Sequence, residues 1–420
     1  MARLFFTGWE AGDTTAGGIG FAEGGGSTGA FSATVVSTSP HGGGFRLDVV
    51  TASAATAGQD FPAFTGATAR DYFLRVYVRK TANPANALDL LILAQAGGSR
   101  IASARLNTNG TVTLIAADGT TVIGSASAAL NNGQWYRVEF RAQVNTATTG
   151  VTELRIDGST VTGTNVSNAN LGTVAPGQVS VGWTITGVTS TATISFDDLA
   201  VNDGTGTQQN TWPGDGKIVH LDPTADSAIG TGWTKDNAVG APMFGAVDAK
   251  PPLGIADTTA GDGTHQIRNA TSNANSAYNP TLETYTAAGV GSADTLQCMA
   301  AVAITGAPSA TSAKSGSMRI LSNPVDPGLV SIGTFYQGAA TAGTYKTGWI
   351  VKLGTIYDRS NANLAALTSA NYGTAPTMSL NQVTASTRIA MCCLMYVRVE
   401  YLPGVAAEVI PNVVMAPLSH

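Results

Sequence analysis

Charge is what this chain of 420 residues has least of. Only 12% of its residues are Asp, Glu, Lys or Arg, about half the usual share of a soluble protein. Few lysines and glutamates means few long, mobile side chains to keep neighbouring molecules apart. Such a surface suits dense packing against other chains, the alternative being a secreted or thermally robust monomer. The net charge of −5 offers no basic footprint for nucleic acid or for an anionic membrane. Cysteine is almost absent too: Cys298 stands alone, and Cys392 and Cys393 are adjacent in a run of small apolar residues. No C-x-x-C or Cys/His spacing points to zinc, adjacent cysteines rarely bridge each other, and a bridge from Cys298 to Cys392 or Cys393 stays open. No stretch approaches the 18 uninterrupted apolar residues of a membrane-spanning helix. The apolar run behind Met1-Ala2-Arg3 is too short for a signal-peptide core, so the expectation is synthesis and assembly in a host cytoplasm. Helical periodicity is scarce, with one or two turns at Asn361–Leu367 as the best candidate.

What the chain does have is glycine, 50 residues of it, together with short β-favouring runs bounded by Gly, Asn, Asp and Pro. That rhythm predicts an all-β fold of sandwiches or jelly rolls. Tyr72–Lys80 gives the clearest strand, with Phe73, Arg75, Tyr77 and Arg79 on one face and Leu74, Val76 and Val78 on the other. Strands are also predicted at Leu4–Phe6, Phe45–Val50, Leu88–Leu93, Arg100–Leu106 and Gly110–Ile115, with turns at Asn107–Gly110, Asp118-Gly119 and Asp157-Gly158. Four units follow: a first β-sandwich over residues 1–205, a Gly/Thr-rich linker over 206–216, a second β-sandwich over 217–402, and an apolar C-terminal arm over 403–420. In the second sandwich, Leu296–Ile304, Ser317–Leu321, Trp349–Leu353 and Met395–Tyr401 read as strands, the last with Tyr396, Arg398 and Glu400 on one face. Residues 238–290 show no periodicity and are expected to form an extended arm lying on a partner, and the apolar tail is expected to dock on a neighbouring subunit or on the chain's own second sandwich.

Three segments of the first half carry a resemblance: Gln134-Trp135-Tyr136-Arg137-Val138-Glu139-Phe140, a strand ending in the turn Asp157-Gly158, and Ile194-Ser195-Phe196-Asp197-Asp198-Leu199-Ala200-Val201-Asn202-Asp203. A strand W-x-R-V-x-F, a D-G turn and a final F-D-D-x-x-V-x-D strand together resemble the concanavalin A-like, or laminin-G-like, jelly roll in the form carried by structural proteins of tailed-phage virions. The resemblance implies a surface or adhesion module with a second β-sandwich behind it.

A retaining glycosidase needs two carboxylates about 5 Å apart, and neither E-x-D-x-E nor E-x-D-x-x-E occurs. Asp197 and Asp198 are adjacent on a strand, which predicts carboxylates on opposite faces, one meeting a loop amide and the other facing a partner or an ion. His41, His220, His265 and His420 form no H-E-x-x-H pair, and no G-x-S-x-G or P-loop lysine is present. No catalytic or cofactor-binding residue is therefore assigned. Asp257 and Asp262 on a Gly-rich loop are the candidates for a metal, and the ion they would take is calcium. Trp9, Trp183, Trp212 and Trp233 are candidate sugar platforms or, more simply, core or interface anchors, while Trp135 reads as core. The function expected from all this is a non-enzymatic structural protein on the outside of a phage virion. It would be a capsid decoration, fibre or minor tail component whose partners are other virion proteins and copies of itself. The alternative is a lectin-like module recognising host surface glycans.

Overall fold

Four antiparallel sheets make up the regular structure, and they fall in chain order: strands between residues 3 and 203 build the first two, strands between 217 and 402 the other two. The computed structural model describes residues 3–9, 26–28, 33–50, 58–61, 64, 66–145, 148–184, 192–230, 233–235, 267–269, 276–306, 314–321, 330–335, 350–353, 356–360, 364–365, 367–382 and 390–404.

In the first half, the larger sheet runs Ser159–Thr160, Gly150–Ile156, Trp135–Gln143, Asp71–Lys80, Thr193–Asp203, Arg46–Val50 and Ala33–Val36, with Arg3–Thr7 and Val166–Ala169 paired beside it. The facing sheet runs Val122–Ile123, Val112–Ile115, Arg100–Leu106, Leu88–Gln95, Pro176–Thr184, Gly58–Asp60 and Gly26–Thr28. Leu74, Val76, Val78, Val138 and Phe140 of one sheet meet Leu91, Leu93, Val179 and Val181 of the other in a single core, as inward positions of period-two strands must. The strand Asp71–Lys80 departs from simple alternation, since Phe73, Arg75 and Tyr77 on its outward face are buried as well. The linker and the second half of the chain cover that face. Trp212 of the linker lies against Phe73 with ring centroids 5.3 Å apart and takes the Arg155 guanidinium 3.9 Å over its ring.

The second half repeats the plan. One sheet contains Trp233–Lys235, Ile267–Asn269, Ala390–Leu402, Thr295–Gly306 and Ile350–Leu353, with Lys217–Leu221 and Tyr357–Asp358 at its side. The other contains Pro223–Ile229, Ser276–Leu282, Thr377–Gln382, Lys314–Leu321 and Val330–Phe335. Val397, Val399 and Met299 pack against Met318, Ile320, Leu380 and Tyr278 across them. The fold is thus all-β, two β-sandwiches in sequence.

The stretch 238–290 is not wholly irregular. Ile267–Asn269 joins the third sheet, and Ser276–Leu282 sits inside the fourth, paired on both sides. Its polar, Asn-rich sequence hides a strand because Tyr278 and Leu282 alone supply the inward positions. Residues 283–290 turn back with Tyr285 and Val290 buried in the second core; the remainder of the expected arm falls outside the described residues, as does the apolar tail from residue 405 onward. Of the expected helix, Leu364 and Ala365 are helical and Leu364 is buried in the second core. Cys298 is a free, buried thiol. It lies opposite Asp358 and beside Glu400, whereas Cys392 pairs in register with Thr305. Seven positions along a strand separate the two sites by roughly 23 Å, far beyond the reach of a disulfide.

Candidate functional site

The two sandwiches meet over a small apolar cluster, Phe6, Ala200, Ile218, Cys298, Ala300 and Ile356, drawn from both halves. Beside it lies a buried carboxylate. Glu400, on the long strand Ala390–Leu402, places Oε2 2.6 Å from Arg3 Nη2 and Oε1 2.9 Å from Arg75 Nη1, with all three side chains essentially out of water. The Cys298 thiol donates to Oε2 at 3.2 Å. The contact of Oε1 with Arg75 is an ion pair off the hydrogen-bond direction, because no aligned donor reaches that oxygen. Arg3 and Arg75 come from the first half and Glu400 and Cys298 from the second, so the cluster is formed only when both are docked.

Each member is held in turn. Arg75 Nε donates to the Asp198 carbonyl at 3.0 Å and Nη1 to the Gly214 carbonyl at 3.1 Å. Arg3 donates to Gln209 Oε1 at 2.6 Å, and Gln209 donates onward to Gln297 at 2.7 Å. The linker is therefore stitched to both halves. Arg398, next but one to Glu400, donates to the Phe6 carbonyl and lies over the Phe5 and Phe6 rings at 5.7 and 5.5 Å. Gly216 passes so close that a Cβ there would stand 2.5 Å from Arg75 Nη1 and 2.6 Å from Glu400 Oε1.

Toward the surface the cluster continues through the double aspartate. A bulge lies between Asp197 and Ala200, and Asp198 has φ +48°. The expected opposite orientation of the two carboxylates is corrected by this bulge, which brings both to the same loop. Asp197 Oδ2 accepts from the His41 and Gly42 amides at 2.7 and 3.2 Å. Asp198 Oδ2 meets His41 Nδ1 at 2.6 Å, and its Oδ1 accepts from the Ile218 amide, in the second half, at 2.6 Å. His41 stacks on Tyr77 at 3.5 Å and turns its edge to Trp135. The Tyr77 hydroxyl donates to Asp215, whose side chain is 68% exposed, and Arg137 pairs with Glu139 at 3.0 Å. Burial pushes the Tyr77 phenol up.

Of the other sequence candidates, Asp257, Asp262, His265 and His420 lie outside the described residues, as do the side chains of Trp183 and Trp233. Trp9 is a core residue. Trp135 is half-buried beside His41 rather than in the core, because its strand position projects outward. His220 stacks on Tyr396 at 3.9 Å. Among the described residues no group of three or more His, Cys, Asp or Glu side chains could hold a metal ion. Sequence reasoning did not single out Arg3, Arg75, Glu400 or His41. The available signal was a set of charges at outward strand positions in a chain with little charge to place.

No family model matches the chain, and no curated protein matches it in sequence. Solved structures resemble it in part. "Cellulose induced protein, Cip1" shares 16% identity, covering 46% of this chain and 88% of its own, at a TM-score of 0.32. An endo-β-1,4-glucuronan lyase from the fungus Trichoderma reesei shares 13%, covering 48% and 95%, at 0.34. The alginate lyase Aly36B shares 14%, covering 47% and 95%, also at 0.34. Likeness at this level concerns the fold alone. With lyases among these partial resemblances, the expectation that the chain is not an enzyme does not stand.

Burial by itself would raise the Glu400 carboxyl, but the Arg3 and Arg75 guanidiniums outweigh it and hold the group below its ordinary value. The folded state therefore binds this proton less readily than the unfolded chain, and the stability Glu400 contributes is complete above about pH 4.5 and lost as pH falls through the depressed value. Glu400→Gln should cost about 3–5 kcal/mol at pH 7, since it leaves buried cations without their anion. Urea midpoints of the two proteins should converge as pH falls below about 4.5 and through the depressed value, and a gap that stays constant with pH would show that the carboxylate charge is not the cause. Gly216→Ala should cost about 1–3 kcal/mol by forcing Arg75 and Glu400 apart, read as a lower thermal midpoint than that of Gly97→Ala, where an added Cβ meets nothing within 4 Å.

Proposed function

We propose that the chain is a rigid two-sandwich building block on the outside of a tailed-phage virion, a capsid decoration, fibre or minor tail component. It would act through contacts with other virion proteins and with copies of itself. The observation that carries this reading is the buried Arg3–Glu400–Arg75 cluster, which ties the sandwiches into one body. A body with fixed internal geometry loses little freedom on docking, so more of the buried area counts toward affinity. The low charge supports the same reading, because strand surfaces poor in lysine and glutamate lose little desolvation energy when covered. Stable interfaces of this kind bury more than roughly 1,000 Å².

A second reading, a module that recognises host surface glycans, is favoured by the rings of His41, Tyr77 and Trp135 gathered beside Arg137 and the exposed Asp215.

Gold-labelled antibody against the chain should decorate purified virions at regular positions. Label that remains in the lysate supernatant and is absent from virions would overturn the assembly reading.

A further inference from the structure

Directly paired residues of antiparallel strands project to the same side of a sheet, so the outer face of the first sheet is a set of rows. The row of Arg75 and Glu139 is spent on the junction. The row of Tyr77, Arg137 and Asp197 is occupied by His41 and Asp215. The next row, farther from the junction, is Trp135, Arg79, Ser195, Asp48 and Thr34, one residue from each of five adjacent strands. At about 4.8 Å per strand it runs for roughly 19 Å.

This row holds an unspent charge. Arg79 is half-buried and, among the arginines whose side chains are described, is the one with no hydrogen bond or ion pair. Its neighbour in the row, Trp135, is half-buried, with the His41 ring at its edge. Asp48 does not neutralise Arg79, because Arg46 already takes both of its oxygens at 2.8 and 2.9 Å while also donating to Ser195 at 3.2 Å. One free guanidinium beside an indole, with hydroxyls farther along, suits a ligand carrying a single planar negative charge on an apolar ring.

We infer that this row binds an acidic sugar, a uronic acid or another pyranose bearing one carboxylate. The inference rests on the glycan-binding reading and gives it a substrate class. Arg79 takes the carboxylate through paired N–H donors, and Trp135 carries the apolar face of the ring. The Thr34 hydroxyl, at the exposed end of the row, meets a neighbouring sugar. A phosphate or sulfate cluster fits less well, because Asp48 with its matched Arg46 leaves no second free cation.

The test titrates the full chain by calorimetry with tetragalacturonate, its methyl ester and tetraglutamate. Tetragalacturonate should bind, the ester and the peptide at least tenfold more weakly. Arg79→Met and Trp135→Ala should each lose tenfold or more while keeping the wild-type urea midpoint, and Arg79→Lys should recover part of the loss. Equal binding of acid and ester would overturn the acidic-sugar assignment and leave the glycan reading standing. Equal binding of tetraglutamate would show that the row reads charge alone and overturn the assignment as well. Absence of binding by both sugars would remove the row and the glycan reading together.

Discussion

Glu400 is the side chain on which the relation between the two sandwiches depends. A carboxylate taken wholly out of water costs several kcal/mol, and the weak Cys298 thiol donor of its own sandwich offsets little of that. Its partners, Arg3 and Arg75, belong to the other half of the chain and are equally buried. Neither half can therefore bury these groups alone without a large penalty, and the docked arrangement is the one in which opposite charges meet. A buried ion cluster need not add much net stability over well-packed apolar residues, but its geometry is selective. A rotation of one sandwich by even a few ångströms would leave three desolvated charges unpaired, whereas an apolar contact such as Phe6 with Ile218 and Ala300 tolerates sliding.

That constraint explains features that otherwise look unrelated. The linker carries glycine at 214 because the backbone there is left-handed, φ +72°, as its carbonyl turns to Arg75, and at 216 because the backbone must pass against the ion pair. Asp198 adopts a left-handed conformation, uncommon for a residue with a side chain. In return its carbonyl faces Arg75, and its carboxylate reaches both His41 and the Ile218 amide across the junction. A strained residue held by partners on three sides persists because its surroundings over-determine it. The double aspartate is thus the hinge between the surface loop at His41 and the buried cluster.

Much of the fold was legible in the sequence. The β-favouring run of Tyr72–Lys80 and the alternation in Met395–Tyr401, together with the Asn-Gly and Asp-Gly turns, are local information, and local information suffices to recognise β-strands and hairpins. The site was legible only in part. Arg75 stood correctly on the outward face of its strand, and Arg398 and Glu400 shared a face of theirs. That the two faces oppose each other is a tertiary fact carried by residues more than 300 positions apart, and no periodicity encodes it. The aspartate pair misled for a different reason. Adjacent strand residues point apart only where the strand is regular, and the bulge after Asp197 breaks that regularity. Ser276–Leu282 escaped notice because a central strand needs few apolar residues when its neighbours on both sides supply the rest of the core.

The outward positions of strand Asp71–Lys80 trace a gradient from the junction to the surface. Arg75 is sealed beneath the second sandwich, Tyr77 is capped by His41, and Arg79 stands half-open beside Trp135. Four residues apart on one face, Arg75 and Arg79 carry the same group in opposite circumstances, one with its charge matched by Glu400 and one with its charge unmatched. The rigidity that the first imposes on the strand and on the His41 loop also fixes the second. A guanidinium presented from such a strand, with an indole held at its side by His41, loses little freedom when an anion arrives. The matched charge thus supplies the order that gives the unmatched one its selectivity.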